Sequence, residues 1–248
     1  MEAKNVAGAG LIALGLTTGV WGFLNAIPKL TNLGIAGIFL GLVVLAFKST
    51  DYVKRESVDA LSESYREVFS SLSENLYLEG NAVFIPPYEN LPRGGLFIPL
   101  HRDFELDLAR LDEKTVFLTD VPKDRQMGLF LGPFGDSLVR RFEDHFEGSL
   151  EGVGSQTVES VADSVLKYLE LASRVYIEET ERGFRIVVKP KLKCRPSGCE
   201  KIPCPVCASV LLALSKGTGQ IIEVESIVQG RSGVEITARK LGGVGEWK

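Results

Sequence analysis

Only two of the 248 residues are histidine, and neither stands in a catalytic spacing. His101 follows an extended run and His145 sits near a helix end, so no HExxH pair exists for a metalloprotease. The chain also lacks a serine elbow, paired catalytic carboxylates and both glycine-rich phosphate-loop patterns. Gly132-Pro133-Phe134-Gly135 and Lys216-Gly217-Thr218-Gly219 match neither pattern. These absences weigh against an enzyme. Cysteine is missing everywhere except between Cys194 and Cys207, and proline is missing after Pro205. Charge is missing from two long stretches, Lys4 to Lys29 and Lys29 to Lys48.

The uncharged stretches locate the molecule. Val6 to Ile27 is apolar and long enough to cross a bilayer core of about 30 Å as a helix. The second run is densest from Leu33 to Phe47, and counted from Leu30 it spans with little tilt. Residues 1–50 therefore read as a transmembrane helical hairpin, with spans at about 6–27 and 31–47. The length of the first run, its single flanking Lys4 and the second run at once behind it argue against a secretory signal. The turn is expected at Pro28-Lys29-Leu30-Thr31-Asn32. Gly15 and Gly19, like Gly37 and Gly41, form GxxxG pairs that let two helix backbones approach closely. Lys48, Lys54 and Arg55 follow the second span and Lys4 precedes the first, against Lys29 alone in the turn. Both termini and the soluble domain are thus expected in the cytoplasm of a multi-pass membrane protein.

Beyond the hairpin the balance of charge changes. The first 55 residues hold five of the 28 Lys/Arg and two of the 32 Asp/Glu, which leaves 23 bases against 30 acids, a net charge of −7 for residues 56–248. An acidic domain is a poor match for a phosphate backbone, so nucleic acid is not expected as a partner. Residues 51–78 read as a juxtamembrane amphipathic helix, with Val58, Leu61, Tyr65, Val68 and Leu72 as an a/d stripe that packs on its own domain. Residues 79–241 read as an α+β domain. Short β-type runs at Ala82–Ile85, Leu96–Leu100, Thr115–Thr119 and Gly128–Leu131 precede a helix with Phe134, Leu138, Phe142 and Phe146 four apart, an expected core face. A second helix presents Val158, Val161, Val165 and Leu169. Two hairpins follow, Arg174–Glu179 with Phe184–Leu192 and Ile221–Val228 with Val234–Lys240, separated by a helix from Pro205 to Lys216. That order predicts an antiparallel sheet with packed helices, ending in a flexible tail at 242–248.

The stretch CRPSGCEKIPCPVC holds Cys194, Cys199, Cys204 and Cys207. Four thiolates can satisfy tetrahedral zinc or an iron–sulfur cluster, and zinc is the first choice of metal. The C-x4-C-x4-C-x2-C spacing differs from both a zinc ribbon and a ferredoxin run. Two disulfides or four free structural thiols are the other readings. Cys204-Pro205-Val206-Cys207 opens a helix, where amide donors raise thiol reactivity, and it resembles the glutaredoxin motif. That family places its motif at the start of the domain and needs a later cis-proline, which this chain lacks. A metal- or thiol-dependent membrane redox enzyme is therefore the alternative to a binding protein. Next to the cluster, Arg185, Lys189, Lys191, Lys193 and Arg195 alternate along a strand, with Glu223 and Glu225 as expected cross-strand partners.

Taken in order, the two spans, AVFIPP, GGLFIPLHRDFEL, MGLFLGPFGDSLVRRFE and CPVCASVLLALSKGTGQIIEVES resemble an archaeal family of uncharacterised two-span proteins. The resemblance covers nearly the whole chain and implies a membrane protein with a soluble α+β domain of unknown function. It assigns no functional residue and carries no such cysteine cluster. The reading is a membrane-tethered cytosolic domain, not an enzyme, that contacts the lipid bilayer and binds a partner protein or small ligand at its surface.

Overall fold

The computed structural model describes residues 2–47, 54–194 and 198–247. Lys48, Arg195, Lys248 and residues 51–53 of the segment after the hairpin lie outside them. The chain divides into two compact units, residues 1–54 and 55–248.

The first unit is a pair of helices, α1 (Glu2–Leu24) and α2 (Pro28–Ala46). The turn lies at Asn25-Ala26-Ile27, ahead of the expected Pro28–Asn32. Proline has no N–H to lose at the first helical position and its ring presets the helical φ, so Pro28 begins α2. Ala26 takes a left-handed φ of 53°, and the Ile27 N–H closes onto the Gly22 carbonyl at 2.8 Å. Among the described residues of this unit the buried positions are all glycine: Gly8, Gly15 and Gly22 on α1, Gly34 and Gly41 on α2. They stand seven apart, so a straight seam of bare backbone runs down each helix. A methyl at Gly15 would sit 2.6 Å from the Ile38 nitrogen, and one at Gly41 would sit 2.8 Å from the Gly8 carbonyl. The GxxxG members Gly19 and Gly37 flank this seam; a Cβ on Gly34 would collide with the Gly19 Cα.

The second unit is α+β. Its elements are α3 (Arg55–Asn75), β1 (Val83–Ile85), β2 (Gly95–Pro99), β3 (Phe117–Leu118), β4 (Gly128–Leu131), α4 (Asp136–Phe146), α5 (Ser155–Tyr168), β5 (Ala172–Glu179), β6 (Gly183–Pro190), α6 (Pro205–Thr218), β7 (Gln220–Gln229) and β8 (Val234–Gly243). Eight strands form one antiparallel sheet in the order β3-β4-β2-β1-β7-β8-β6-β5. The join between early and late strands is β1 on β7, where Val83 pairs Glu223 and Phe84 pairs Ile222.

Helices and sheet share the main core. From Val206 to Ser215 every residue of α6 is buried, as a helix apolar all round requires. The two serines there are satisfied: the Ser209 hydroxyl donates to the Val206 carbonyl at 2.8 Å and that of Ser215 to the Gln220 carbonyl at 2.7 Å. Val158, Val161, Val165 and Leu166 of α5 and Phe142 of α4 join α6, but Phe146 is 40% and Leu169 37% exposed. Each lies at its helix end, past the reach of the sheet. A second cluster holds Val83, Ile85, Phe97 and Phe130 with Leu106, Leu108 and Leu111 from the long connection after β2. The strands β1 and β2 are consequently buried at every residue.

Three further expectations are corrected. Of the expected stripe on α3, Tyr65 and Leu72 face inward together with Phe69, while Leu61 and Val68 are 71% and 65% exposed. The face turns toward Phe69, four residues after Tyr65, and away from Val68, three after it. Strand β6 lies between β5 and β8, so Glu223 and Glu225 on β7 cannot reach its bases. Arg185 pairs Glu235 at 3.5 Å, and the intervening Arg239 takes Glu223 and Glu225. Lastly, residues 242–247 join the fold: β8 runs to Gly243, and Trp247 packs on the second cluster and donates its ring N–H to the Leu241 carbonyl at 2.9 Å.

Candidate thiol centre and its cleft

The chain leaves β6 at Pro190 and reaches α6 at Pro205, and the connection between them is pinned on three sides. The Lys191 N–H donates to the Leu171 carbonyl at 2.9 Å, the Lys193 N–H donates to Asp59 Oδ1 of α3 at 2.9 Å, and the Glu200 carbonyl accepts the Ala82 N–H beside β1 at 2.8 Å. Lys201 Nζ adds a hydrogen bond to the Leu78 carbonyl. Gly198 takes a φ of 79°, the left-handed turn that brings Cys199 back under the loop.

All four sequence-identified cysteines meet here as reduced thiols, with no disulfide between them. The sulfurs of Cys194, Cys204 and Cys207 lie within 4.8 Å of one another. Cys194 hydrogen-bonds to both and to Cys199, which brings in the fourth. Cys199 and Cys207 are buried, at 4% and 1% exposure, and Cys194 and Cys204 are half-buried. No oxygen caps α6; the Cys204 sulfur faces the amides of Cys207 and Val206 instead. Similarly, the Cys204 N–H points at the Cys199 sulfur.

The surroundings divide the thiols into acceptors and donors. Cys204 is drawn well below the ordinary thiol value, first by the Cys194 and Cys207 thiols and then by the two helix-start amides, against the opposing effect of burial. Cys199 is also lowered, chiefly by Cys194. Cys194, whose single S–H faces the other three sulfurs, is pushed up, first by Cys199. For Cys207 the bond with Cys194 pulls downward, but its bond to Cys204, full burial and the charge of its neighbours win, and its thiol is raised well above the usual range. The surroundings thus favour the charged form at Cys204 and the protonated form at Cys194 and Cys207.

Over the thiols lies α3. Tyr65 stacks on Phe134 at 5.7 Å and contacts Phe69 at 4.5 Å between ring centroids. Its hydroxyl oxygen is buried with no hydrogen-bond partner among the described residues. Burial first, and charge at Cys204 second, push the Tyr65 phenol far up. Between α3 and the loop opens a cleft of about 480 Å³, with Asp59, Glu63 and Arg66 on the helix side and Lys193 and Lys201 on the loop side. Sequence reasoning found the thiols but missed this cleft, and placed Tyr65 only as a packing residue of the α3 stripe. The available signal was the polar spacing Asp59, Ser62, Arg66, which marks an inward face that is not sealed by apolar side chains.

His101 and His145 stand away from the cleft lining, as do the exposed bases Arg185 and Lys189 of β6. A family model described as a domain of unknown function, DUF7982, matches residues 2–239. No curated protein and no solved structure matches the chain.

Proposed function

The chain belongs to the DUF7982 family, a domain of unknown function, and on that premise we propose that it is a membrane-tethered binding protein. In this reading the hairpin spans the bilayer, and the cleft between α3 and the cysteine loop takes a small ligand on the cytoplasmic side.

The observation that carries the tether is the outer surface of the hairpin. Leu14, Trp21, Phe23 and Phe39 are 66%, 64%, 76% and 68% exposed, on helices of 21 and 19 apolar-window residues with no charge inside the uncharged runs. Exposed to water, each such side chain costs about 1.5–3 kcal/mol relative to burial, and lipid tails remove that cost. At about 1.5 Å per residue both helices match a hydrocarbon core of about 30 Å. Lys4, Lys48, Lys54 and Arg55 against Lys29 support cytoplasmic termini. The archaeal two-span character implied by the sequence motifs agrees with this placement. For the ligand, the support is a concave site walled by Tyr65, Phe69 and Ile202 on which charges of both signs converge.

Two measurements test the reading. The full chain should remain in carbonate-washed membranes and leave them only with detergent; a monodisperse chain in detergent-free buffer overturns the tether. Native mass spectrometry of the full chain from nanodiscs should show a bound small molecule that Ser62→Trp, which fills the cleft, displaces. A bare chain in both forms overturns the ligand.

A further inference from the structure

We propose that Cys194, Cys199, Cys204 and Cys207 form a four-thiolate zinc site that fastens the β6–α6 loop and, through Tyr65, docks α3 on it. This assignment does not depend on the ligand proposed for the cleft.

Distance comes first. Tetrahedral zinc with Zn–S bonds of about 2.3 Å holds its sulfurs about 3.8 Å apart. The sulfurs of Cys194, Cys204 and Cys207 already stand within 4.8 Å of one another, and Cys199, outside that trio, lies beside Cys194. A mononuclear ion needs a small contraction of the trio and an inward movement of Cys199 toward it. An iron–sulfur cluster distributes its thiolates over different irons and needs them farther apart.

The outer contacts agree. A tetrathiolate zinc carries two net negative charges, which need donors and cations around them. Two backbone amides, of Val206 and Cys207, face the Cys204 sulfur, and the Cys204 amide faces that of Cys199. This is the arrangement a C-x2-C turn at a helix start provides, because the first amides of a helix have no partner within it. Lys193 and Lys201 of the loop and Arg66 of α3 line the cleft alongside. Tyr65 has a buried hydroxyl with no acceptor among the described residues, on the side of α3 that covers the cysteines. A thiolate of the filled site supplies that acceptor.

The packing of the loop gives the metal a structural role. The loop ends at α6, buried from Val206 to Ser215, and is hydrogen-bonded to Ala82 beside β1 through Glu200 and to α3 through Asp59. An ion holding its four cysteines would set all three contacts at once. Metal loss should therefore loosen α3 more than the sheet.

The test uses the full chain purified anaerobically in detergent without chelators. About one zinc per chain is expected, with thiols that resist a disulfide reagent until a mercurial releases the metal in step with them. Cobalt grown in place of zinc should give the absorption of a four-sulfur tetrahedral site. Cys207→Ser should lower zinc content at least tenfold. Tyr65→Phe is nearly isosteric and should fold; it should keep the stoichiometry but weaken zinc about tenfold in a chelator competition. Chelation should raise hydrogen exchange in α3 well above that in β7 and β8. Zinc below about a tenth per chain, four thiols reacting at once in the native protein, two disulfides, or iron absorption in the visible would each overturn the assignment.

Discussion

The hairpin and the α+β domain solve the same packing problem with opposite residues. In the hairpin the buried described positions are five glycines, and the large side chains point outward. In the domain the largest fully buried side chains are Phe84, Phe97, Phe130, Phe142 and Phe184. Water explains the second arrangement: removing about 25 cal/mol of cost per Å² of apolar surface rewards burying big side chains. In the proposed membrane setting that reward is absent between two helices, because a leucine gains nothing by leaving one apolar medium for another. Close backbone contact is what remains, and glycine permits it. On the proposed tether, the solvent surrounding each unit is legible in what the unit buries.

Exchanging the roles of large and small residues should break the contrast. Phe84→Ala should cost the domain about 3–5 kcal/mol, read as a lower denaturation midpoint, because a fully buried ring leaves a cavity. The same truncation at Leu14, 66% exposed, should change stability by less than about 0.5 kcal/mol. An equal loss at both positions would refute the comparison.

Adding bulk should do the reverse. Gly34→Leu places side-chain atoms where the Gly19 backbone lies, and should cost the hairpin about 1–3 kcal/mol. Benzoylphenylalanine at Leu45, which lies against Gly8, should crosslink α1 in the native chain and lose that crosslink in the variant. An undiminished crosslink would show that glycine is not what holds the helices together.

The smallest effect separates the units by charge. In the domain, burial penalises the Glu143 carboxylate, but Lys216 at 2.8 Å and the Leu150 N–H at 3.0 Å overcome it and hold the carboxyl below its usual value. Lys240 and then Ser155 lower Glu179 in the same sense. A depressed carboxyl stabilises the fold above its unfolded value near 4.5 and loses that contribution as pH falls through the folded one. The domain should therefore melt at lower temperature as pH drops below about 4.5, and Glu143→Gln should cost about 1–2 kcal/mol at neutral pH and flatten the dependence. The helices α1 and α2 hold only Glu2, Lys4 and Lys29 as charged residues and should show no such acid transition, by circular dichroism in micelles.

Much of this fold was readable in advance, and the exceptions share a cause. Strand β4 and the start of α6 lie where a short apolar run and Pro205 place them, since both signals act within a few residues. The hairpin turn moved from Pro28–Asn32 to Asn25–Ile27 because proline breaks a helix in its middle yet begins one well. The phase of α3 went wrong because its inward face is half polar: Asp59, Ser62 and Arg66 line a cleft, and only tertiary contact distinguishes a cleft wall from a solvent face. The cysteines were conspicuous, but their number and spacing left metal, disulfide and free thiol all open. Tyr65 was legible as a packing residue, but its partner Phe134, sixty-nine positions away, and its place over the thiols were not.

By itself the sequence determined where large apolar surface must leave water, which residues are bare enough for helices to touch, and that four thiols share one loop. These are local properties, set by composition and period. Only the tertiary structure decided that β1 pairs with β7, that Arg239 intercepts the acids expected to face β6, and that α3 roofs the thiols. Each of those joins residues far apart in the chain, and no local preference encodes a partner that becomes a neighbour only when the core closes.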